Sequence, residues 1–347
     1  MELSELPVET QLEIMLADHY RFQYLVAACR AGLFVALENE PGLSVKDVAQ
    51  RLGLEEQPAR ILLLGCTVLG LLRKEGGSYY NTPLTKGVSG DYEGTMTSII
   101  TRESRNMYRA LTWLPESVQE NTNVGLQRVM AGNSDNLYER LTENAELEAE
   151  FHTMMAFHSR KFGAAIKENL DLSGYRHLLD VGGGTAANAE NLADRWPHLR
   201  MTIADLPSVA DKARKRVGEL DLADRVDVAG IDAFSDEFPS GCDAVLFAHF
   251  LEIWSPERIQ QLLAKAYRAL PPGGGLFIIA PYQHDDETGP VQAAYLSAYF
   301  LAFASGEGMV YTGREFEQWL GTAGFELTSR TVLGMEEAIM LCARKPS

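Results

Sequence analysis

Residues 178–196 read LLDVGGGTAANAENLADRW. An apolar run ends at Val181, three glycines follow, and a helical stretch begins directly after them. The missing side chains at Gly182 and Gly184 let a ligand come close to the backbone. The N-terminus of the following helix favours negative charge or hydrogen-bond acceptors. A glycine trio alone does not choose the ligand, since Gly182-x-Gly184-x-x-Ala187 also satisfies a relaxed dinucleotide fingerprint. Its surroundings decide the fold. From His177 onward, short apolar runs alternate with helical stretches: HLLDV (177–181), RMTIADL (200–206), RVDVAGID (225–232), DAVLFAHF (243–250) and GLFIIAPY (275–282). Such alternation predicts an α/β fold, a mostly parallel sheet with helices on both faces. The last two runs, FELTSRTVL (325–333) and EAIMLCARK (337–345), have a glycine turn and no helix between them. They predict a hairpin that adds an antiparallel strand at the sheet edge.

Upstream the register is helical. In FQYLVAACRAGLFVALENE (22–40) apolar positions recur every three and four residues, and Gly32 interrupts the run. Residues 43–88 read as helix, turn, helix and a short β-wing. Ser44 caps the first helix with Asp47 three residues on, Gly53 marks its end, and EGGSYYNT (75–82) supplies turn residues beside β-formers. This winged-helix pattern suits packing or dimerisation better than DNA, because its first helices carry as many acids as bases. Residues of about 95–170 are again helical. The expected organisation is therefore a winged-helix domain over 1–95, a helical connecting and substrate-cover region over 96–170, and a ligand-binding α/β domain over 171–347.

Composition narrows the partners. A net charge of −17 over 347 residues argues against nucleic-acid or anionic-membrane binding. Cys29, Cys66, Cys242 and Cys342 form no CxxC pair, which points to buried thiols in a reducing cytoplasm. The longest apolar run, ILLLGCTVLGLL (61–72), is too short to span a bilayer. The N-terminal stretch lacks the basic and apolar regions of a signal peptide.

Acids at successive strand ends then select the ligand. Asp180 sits two residues before the first glycine. Asp205 ends the second strand, where a carboxylate can accept both hydroxyls of a ribose. Asp232 ends the third strand, beside the apolar pair Ala233 and Phe234, which suits an adenine ring. The bland reading of any one of them is a helix cap or loop carboxylate. Together they fit a cationic amino-acid end, a ribose and an adenine, the parts of S-adenosylmethionine, and fit a pyrophosphate poorly.

At this point the chain resembles a known family. LLDVGGGTAANAENLADRWPHLRMTIADLPSVADKA (178–213), the segment 225–278 and GMVYTGREFEQWLGTAGF (308–325) are similar to the small-molecule O-methyltransferases of plants and bacteria. The N-terminal segment resembles that family's winged-helix dimerisation domain, and FHTMMAFHS (151–159) its helix beside the cofactor. The resemblance implies a Rossmann-like methyltransferase sheet, S-adenosylmethionine as methyl donor, a homodimer and a natural-product-like small-molecule acceptor. By the same match Asp180, Gly182, Gly184, Asp205, Leu206, Asp232 and Ala233 line the cofactor, with Phe234 of the apolar pair beside them. Ser159 reaches its amino-acid end, and Met155 faces the acceptor. Tyr299, Phe300, Phe303 and Tyr311 are candidates to stack on a flat acceptor ring, or are simply core. Arg105, Arg128 and Arg140 are candidates for a substrate carboxylate.

The sequence departs from the family at the base. Most members carry a His-Asp-Trp run after the fourth strand, with the histidine as general base. The same positions here read Glu252, Ile253 and Trp254, with His249 three residues earlier. The two glutamates that flank the base in plant members fall on Pro281 and Val310. Moving a proton from a phenol to an ordinary carboxylate is uphill by roughly 8 kcal/mol, against roughly 5 for an imidazole. An apolar setting among Phe250, Leu251 and Trp254 narrows that gap. Three readings follow: Glu252 with His249 deprotonates a phenol; Glu252 takes a C–H proton alpha to a carbonyl; or Glu252 only hydrogen-bonds the acceptor. The lost O-methylation set favours methylation on carbon, with oxygen close behind. The alternative is a related enzyme using the bound cofactor non-methylatively, for hydroxylation or ring formation. Two ligands at i and i+3 with no third make a metal site weak, and none is expected.

Overall fold

The computed structural model describes residues 7–347 apart from 86, 87, 89–96, 98, 102, 145, 146, 150, 152–154, 156–162, 164 and 335–337. The chain divides into two compact units, Met1–Tyr108 and Arg109–Ser347.

In the first unit four helices precede a two-stranded wing: α1 (Val8–Ala31), α2 (Leu33–Asn39), α3 (Val45–Leu52), α4 (Glu56–Val68), β1 (Leu72–Glu75) and β2 (Ser78–Asn81). Gly32 adopts the left-handed region (φ 72°) and ends α1 by donating its N–H to the Ala28 and Cys29 carbonyls. At α3 the Asp47 N–H donates to Ser44 Oγ (3.3 Å) and the Ser44 N–H donates to Asp47 Oδ2 (2.9 Å), a reciprocal cap. Leu33, Phe34, Leu37, Leu63 and Leu72 fill the core beneath. A second apolar set stays outside. Val8, Leu12, Met15, Leu16 and Tyr20 lie on α1, and Ile61, Leu64 and Val68 on α4, all exposed at helical spacing.

The second unit opens with α5 (Leu114–Glu120), α6 (Val124–Val129) and α7 (Leu137–Thr142). Strands and helices then alternate: β3 (His177–Val181), α8 (Ala187–Ala193), β4 (Arg200–Asp205), α9 (Pro207–Glu219), β5 (Val226–Gly230), β6 (Ala244–Ala248), α10 (Pro256–Ala269), β7 (Gly275–Pro281), α11 (Val291–Ala302), α12 (Gly313–Thr322), β8 (Glu326–Leu333) and β9 (Ala338–Arg344). The seven strands form one sheet in the order β5-β4-β3-β6-β7-β9-β8. β3 to β7 run parallel, and apolar clusters cover both faces. β6 and β7 are buried almost throughout, as a parallel sheet covered on both sides requires.

The terminal hairpin forms at the sheet edge, as expected. Antiparallel β9 lies inside, paired with β7, and β8 takes the edge. Burial explains the order: β9 is almost wholly buried, whereas most of β8 faces solvent. The apolar strand fills the covered position and the polar strand closes the edge.

Cys29, Cys66 and Cys242 are buried free thiols, and Cys342 is a partly buried one. Burial pushes the Cys29 thiol up to about 11 and Cys66 up to about 12, which makes both poor nucleophiles. Among the described residues no helix is long and apolar enough to cross a membrane. Ser44→Ala should remove the α3 cap and lower the stability of the first unit by about 1 kcal/mol, read from urea unfolding of the full chain.

Candidate active site

The strand order reverses at β3. From β3 the chain steps outward to β4 and β5, then returns to place β6 on the other side of β3. A crevice outside the carboxyl ends of β3 and β6 follows from that reversal. The glycine loop leaves β3 there, and residues 249–254 leave β6 beside it.

Gly182 (φ 72°), Gly184 (φ 58°) and Ala186 (φ 72°) all take left-handed backbone between β3 and α8. The Gly182 N–H donates to the Ala204 carbonyl (2.8 Å), which ties the loop to the end of β4. A Cβ at Gly182 would come within 2.3 Å of the Phe250 ring, so Phe250, rather than a ligand, uses that missing side chain. A Cβ at Gly184 would meet nothing within 4 Å, so this glycine keeps the open approach expected of it.

Asp205 is the hub of the loop. Its Oδ2 accepts the Gly184 N–H (2.8 Å) and its Oδ1 the Leu206 N–H (2.8 Å). Each oxygen retains acceptor capacity, which fits a vicinal diol. Burial raises the Asp205 carboxyl pKa, and those two N–H donors oppose the rise. Asp180 lies deeper, 3% exposed, with the Asn188 amide donating to both its oxygens (3.2 and 3.1 Å). Burial pushes the Asp180 carboxyl up to about 7, with Asn188 pulling it down and Asp205 adding to the rise.

Asp232 lies two residues beyond the end of β5, in a turn rather than on the strand. Its Oδ1 accepts the Phe234 N–H (2.9 Å) and its Oδ2 the Ser235 hydroxyl (3.0 Å). Lys265, on α10, holds the same turn by donating to the carbonyls of Ala233 (2.8 Å), Phe234 (2.6 Å) and Asp236 (2.6 Å). The Phe234 ring meets the Trp254 ring edge-on at 4.8 Å.

His249 leaves β6 with φ 53°, a sharp turn uncommon for a non-glycine residue, and donates its N–H to the Ile279 carbonyl (2.7 Å). Leu251–Ile253 is one turn of 3-10 helix, not the start of α10, which begins at Pro256. His249 precedes that turn and meets Glu252 from the left-handed bend at the end of β6. His249 Nδ1 lies 3.6 Å from Glu252 Oε1. Glu252 is 2% exposed, and its Oε2 has no hydrogen-bond partner among the described residues. The turn is fastened from outside. Ser305 Oγ donates to the Ile253 carbonyl, and a Cβ at Gly308 would strike the Glu252 carbonyl at 2.3 Å.

Other expected residues fall as follows. Phe300 and Tyr311 are buried in the sheet's larger core, Phe303 is also buried, and the Tyr311 hydroxyl donates to the Trp254 carbonyl (2.7 Å). Tyr299 is half-buried at the margin of that core. Met155 is half-buried, and Ser159 lies outside the described residues. Arg140 is buried and donates to the carbonyls of Ser134, Leu126 and Met130, so it braces α6 and α7 rather than facing a substrate carboxylate. Arg105 is exposed, and Arg128 is exposed with its guanidinium over the Trp113 ring at 4.9 Å. Among the described residues no group of three His, Cys, Asp or Glu side chains is placed to hold a metal.

Sequence reasoning missed Tyr138, Lys265 and Gly308. Burial, reinforced by the Tyr299 hydroxyl beside it and by the charge of Glu252, raises the Tyr138 hydroxyl pKa well above 10. No local pattern marks Tyr138, whose neighbours are distant in the chain. Lys265 had a faint signal, a cation among the buried positions of α10.

The Asp180 carboxyl also sets a pH dependence. Its folded pKa of about 7 exceeds the unfolded value of about 3.9, so the native state holds the proton longer. Stability should therefore fall as pH rises through that window. Asp180→Asn should flatten the fall and be the more stable protein at pH 8, as urea unfolding at pH 5 and pH 8 would show.

Profiles of known families match both units: the O-methyltransferase dimerisation domain over residues 14–87 and the O-methyltransferase domain over residues 112–326. The chain is 41% identical over 305 residues to an L-tyrosine C(3)-methyltransferase of Streptomyces lavendulae, covering 88% of this chain and 83% of the relative. It is 35% identical over 310 residues to a 3-hydroxy-5-methyl-1-naphthoate 3-O-methyltransferase of Streptomyces sahachiroi, covering 88% and 86%. Among solved structures it superposes on the S-adenosylmethionine-dependent methyltransferase SibL with a TM-score of 0.81 at 35% identity, covering 97% of this chain and 99% of that one. With the glycine loop, the Asp205 hub and the strand reversal in place, the chain belongs to the S-adenosylmethionine-dependent O-methyltransferase family and is a methyltransferase.

Proposed function

We propose that this enzyme methylates a ring carbon beside a phenolic hydroxyl, on an acceptor of the tyrosine type. The observation that carries the reading is the pair of buried Glu252 and half-buried His249, 3.6 Å apart at the carboxyl end of β6. Methylation of a phenolic carbon needs two proton removals, one from the hydroxyl, which the product regains, and one from the ring carbon. Methylation of the oxygen needs only the first, and each reaction releases one proton net. Removing the hydroxyl proton pushes electron density to the ortho carbon. That carbon gains its bond to the methyl group as the carbon–sulfur bond breaks, and it then sheds its own hydrogen to restore aromaticity. A carboxylate and an imidazole in contact supply two acceptors for those protons. The 41% identical relative is named for methylation at a tyrosine ring carbon, which supports the same choice.

S-adenosylmethionine supplies an electrophilic methyl group when bound. The chain's residues suit it: Asp205 offers its remaining lone pairs to a ribose, Gly184 leaves room for close approach, and buried Asp180 favours a cation nearby. Ala233 and Phe234 offer apolar surface for an adenine, held in place by Lys265. Glu252 and His249 take protons, and the Tyr138 and Tyr299 hydroxyls orient a polar acceptor. The exposed stripes of α1 and α4 suit pairing with a second copy, since apolar faces of that kind seek burial. A cytoplasmic setting agrees with four free thiols.

Incubation with S-adenosylmethionine and L-tyrosine, followed by proton NMR of the product, tests the reading. A methyl signal on the ring with loss of one ortho hydrogen is expected, with S-adenosylhomocysteine formed in equal amount. A methoxy signal would move the assignment to oxygen, and substrate consumption without S-adenosylhomocysteine would move it to non-methylative chemistry. Glu252→Gln should lower turnover by about a hundredfold, the scale of a general base, with S-adenosylhomocysteine affinity nearly unchanged. Near-normal turnover would remove Glu252 from the chemistry.

A further inference from the structure

Arg258 occupies the first turn of α10, where the helix dipole disfavours a cation. It is nonetheless engaged on three sides. Its guanidinium lies 3.8 Å from the centre of the Phe234 ring and 4.4 Å from that of Trp254, and it donates to Glu307 Oε1 at 3.1 Å. These partners come from three separate loops. Phe234 belongs to the turn after β5 that also carries Asp232. Trp254 follows Glu252 in the turn after β6, and its N–H donates to the Leu251 carbonyl (3.1 Å). Glu307 belongs to the loop that packs on that turn through Ser305 and Gly308. One planar cation therefore joins the turn assigned to the adenosyl group with the turn that carries Glu252. Lys265, two turns along α10, holds only the first of them.

We infer that Arg258 is a positioning residue that couples occupancy of the adenosyl side of the site to the order of the Glu252 turn. The inference rests on the proposed assignment of the Asp232–Phe234 turn to the adenosyl group. The physical route is short. A ligand that settles against Phe234 fixes the ring on which the guanidinium rests, and the guanidinium fixes Trp254 and hence the 3-10 turn. Lysine cannot replace it fully, because an ammonium keeps the charge toward Glu307 but lacks the planar face that spans two rings.

Hydrogen–deuterium exchange of the full-length protein, with and without saturating S-adenosylhomocysteine, tests this coupling independently of any acceptor. In the unsubstituted protein the ligand should slow exchange in both 231–237 and 249–255, the latter by about threefold or more. Arg258→Gln should keep the slowing at 231–237 at its own saturating ligand concentration and lose it at 249–255. Arg258→Lys should fall between the two. The inference is overturned if Arg258→Gln retains the ligand-dependent slowing at 249–255, or if the unsubstituted protein shows none there. If Arg258→Gln fails to fold, Arg258→Lys decides, and a lysine variant identical to the unsubstituted protein overturns it. Asp232→Asn tests the underlying assignment by calorimetry. Unchanged affinity for S-adenosylhomocysteine would sink that assignment, whereas weakened affinity with intact slowing in Arg258→Gln would sink the coupling alone.

Discussion

The molecule depends on a reversal of strand order. β4 and β5 build outward on one side of β3 while β6 and β7 build on the other, so the connections leaving β3 and β6 diverge. The backbone there must turn without filling the crevice. Left-handed residues at 182, 184 and 186 let it do so on one side, and His249 on the other. Asp205 then fixes the distance between loops by accepting N–H groups from both the glycine loop and its own strand end. Each further element of the candidate site is referenced to that junction.

Electrostatics follow from the same geometry. Carboxylates placed at the ends of buried parallel strands lose solvent on both sides, and Asp180 shows the consequence in a carboxyl pushed up to about 7. A cation beside it would favour the charged form. The Phe250 ring packs under the glycine loop at Gly182, in the same corner.

The turn that follows β6 is held more firmly than one 3-10 turn would hold itself. Ser305, Gly308 and Tyr311 fasten it from the loop after α11, and Trp254 fastens it through Phe234 and Arg258. Local propensity contributes little here, since a single such turn has poor hydrogen-bond geometry. Tertiary contacts therefore keep a buried carboxylate and an imidazole facing each other.

Much of this was legible from the residues alone. Alternation of apolar runs with helical periods dictates a parallel sheet, because only helical crossovers return a strand in the same direction. Ser44 with Asp47, and Gly32 and Gly53 at helix ends, mark boundaries through backbone chemistry that is local to each residue. The acids at 180, 205 and 232 are readable for the same reason, as each lies within two residues of a strand end. Local patterns could not decide which strand lies inside the terminal hairpin, that Phe250 covers Gly182, or that Arg140 braces carbonyls. Nor could they show that Tyr138 stands beside Tyr299, or that Phe234, Trp254 and Glu307 meet at one guanidinium. Those pairings join residues from separate elements, and only the packing of the second unit brings them within reach of one another.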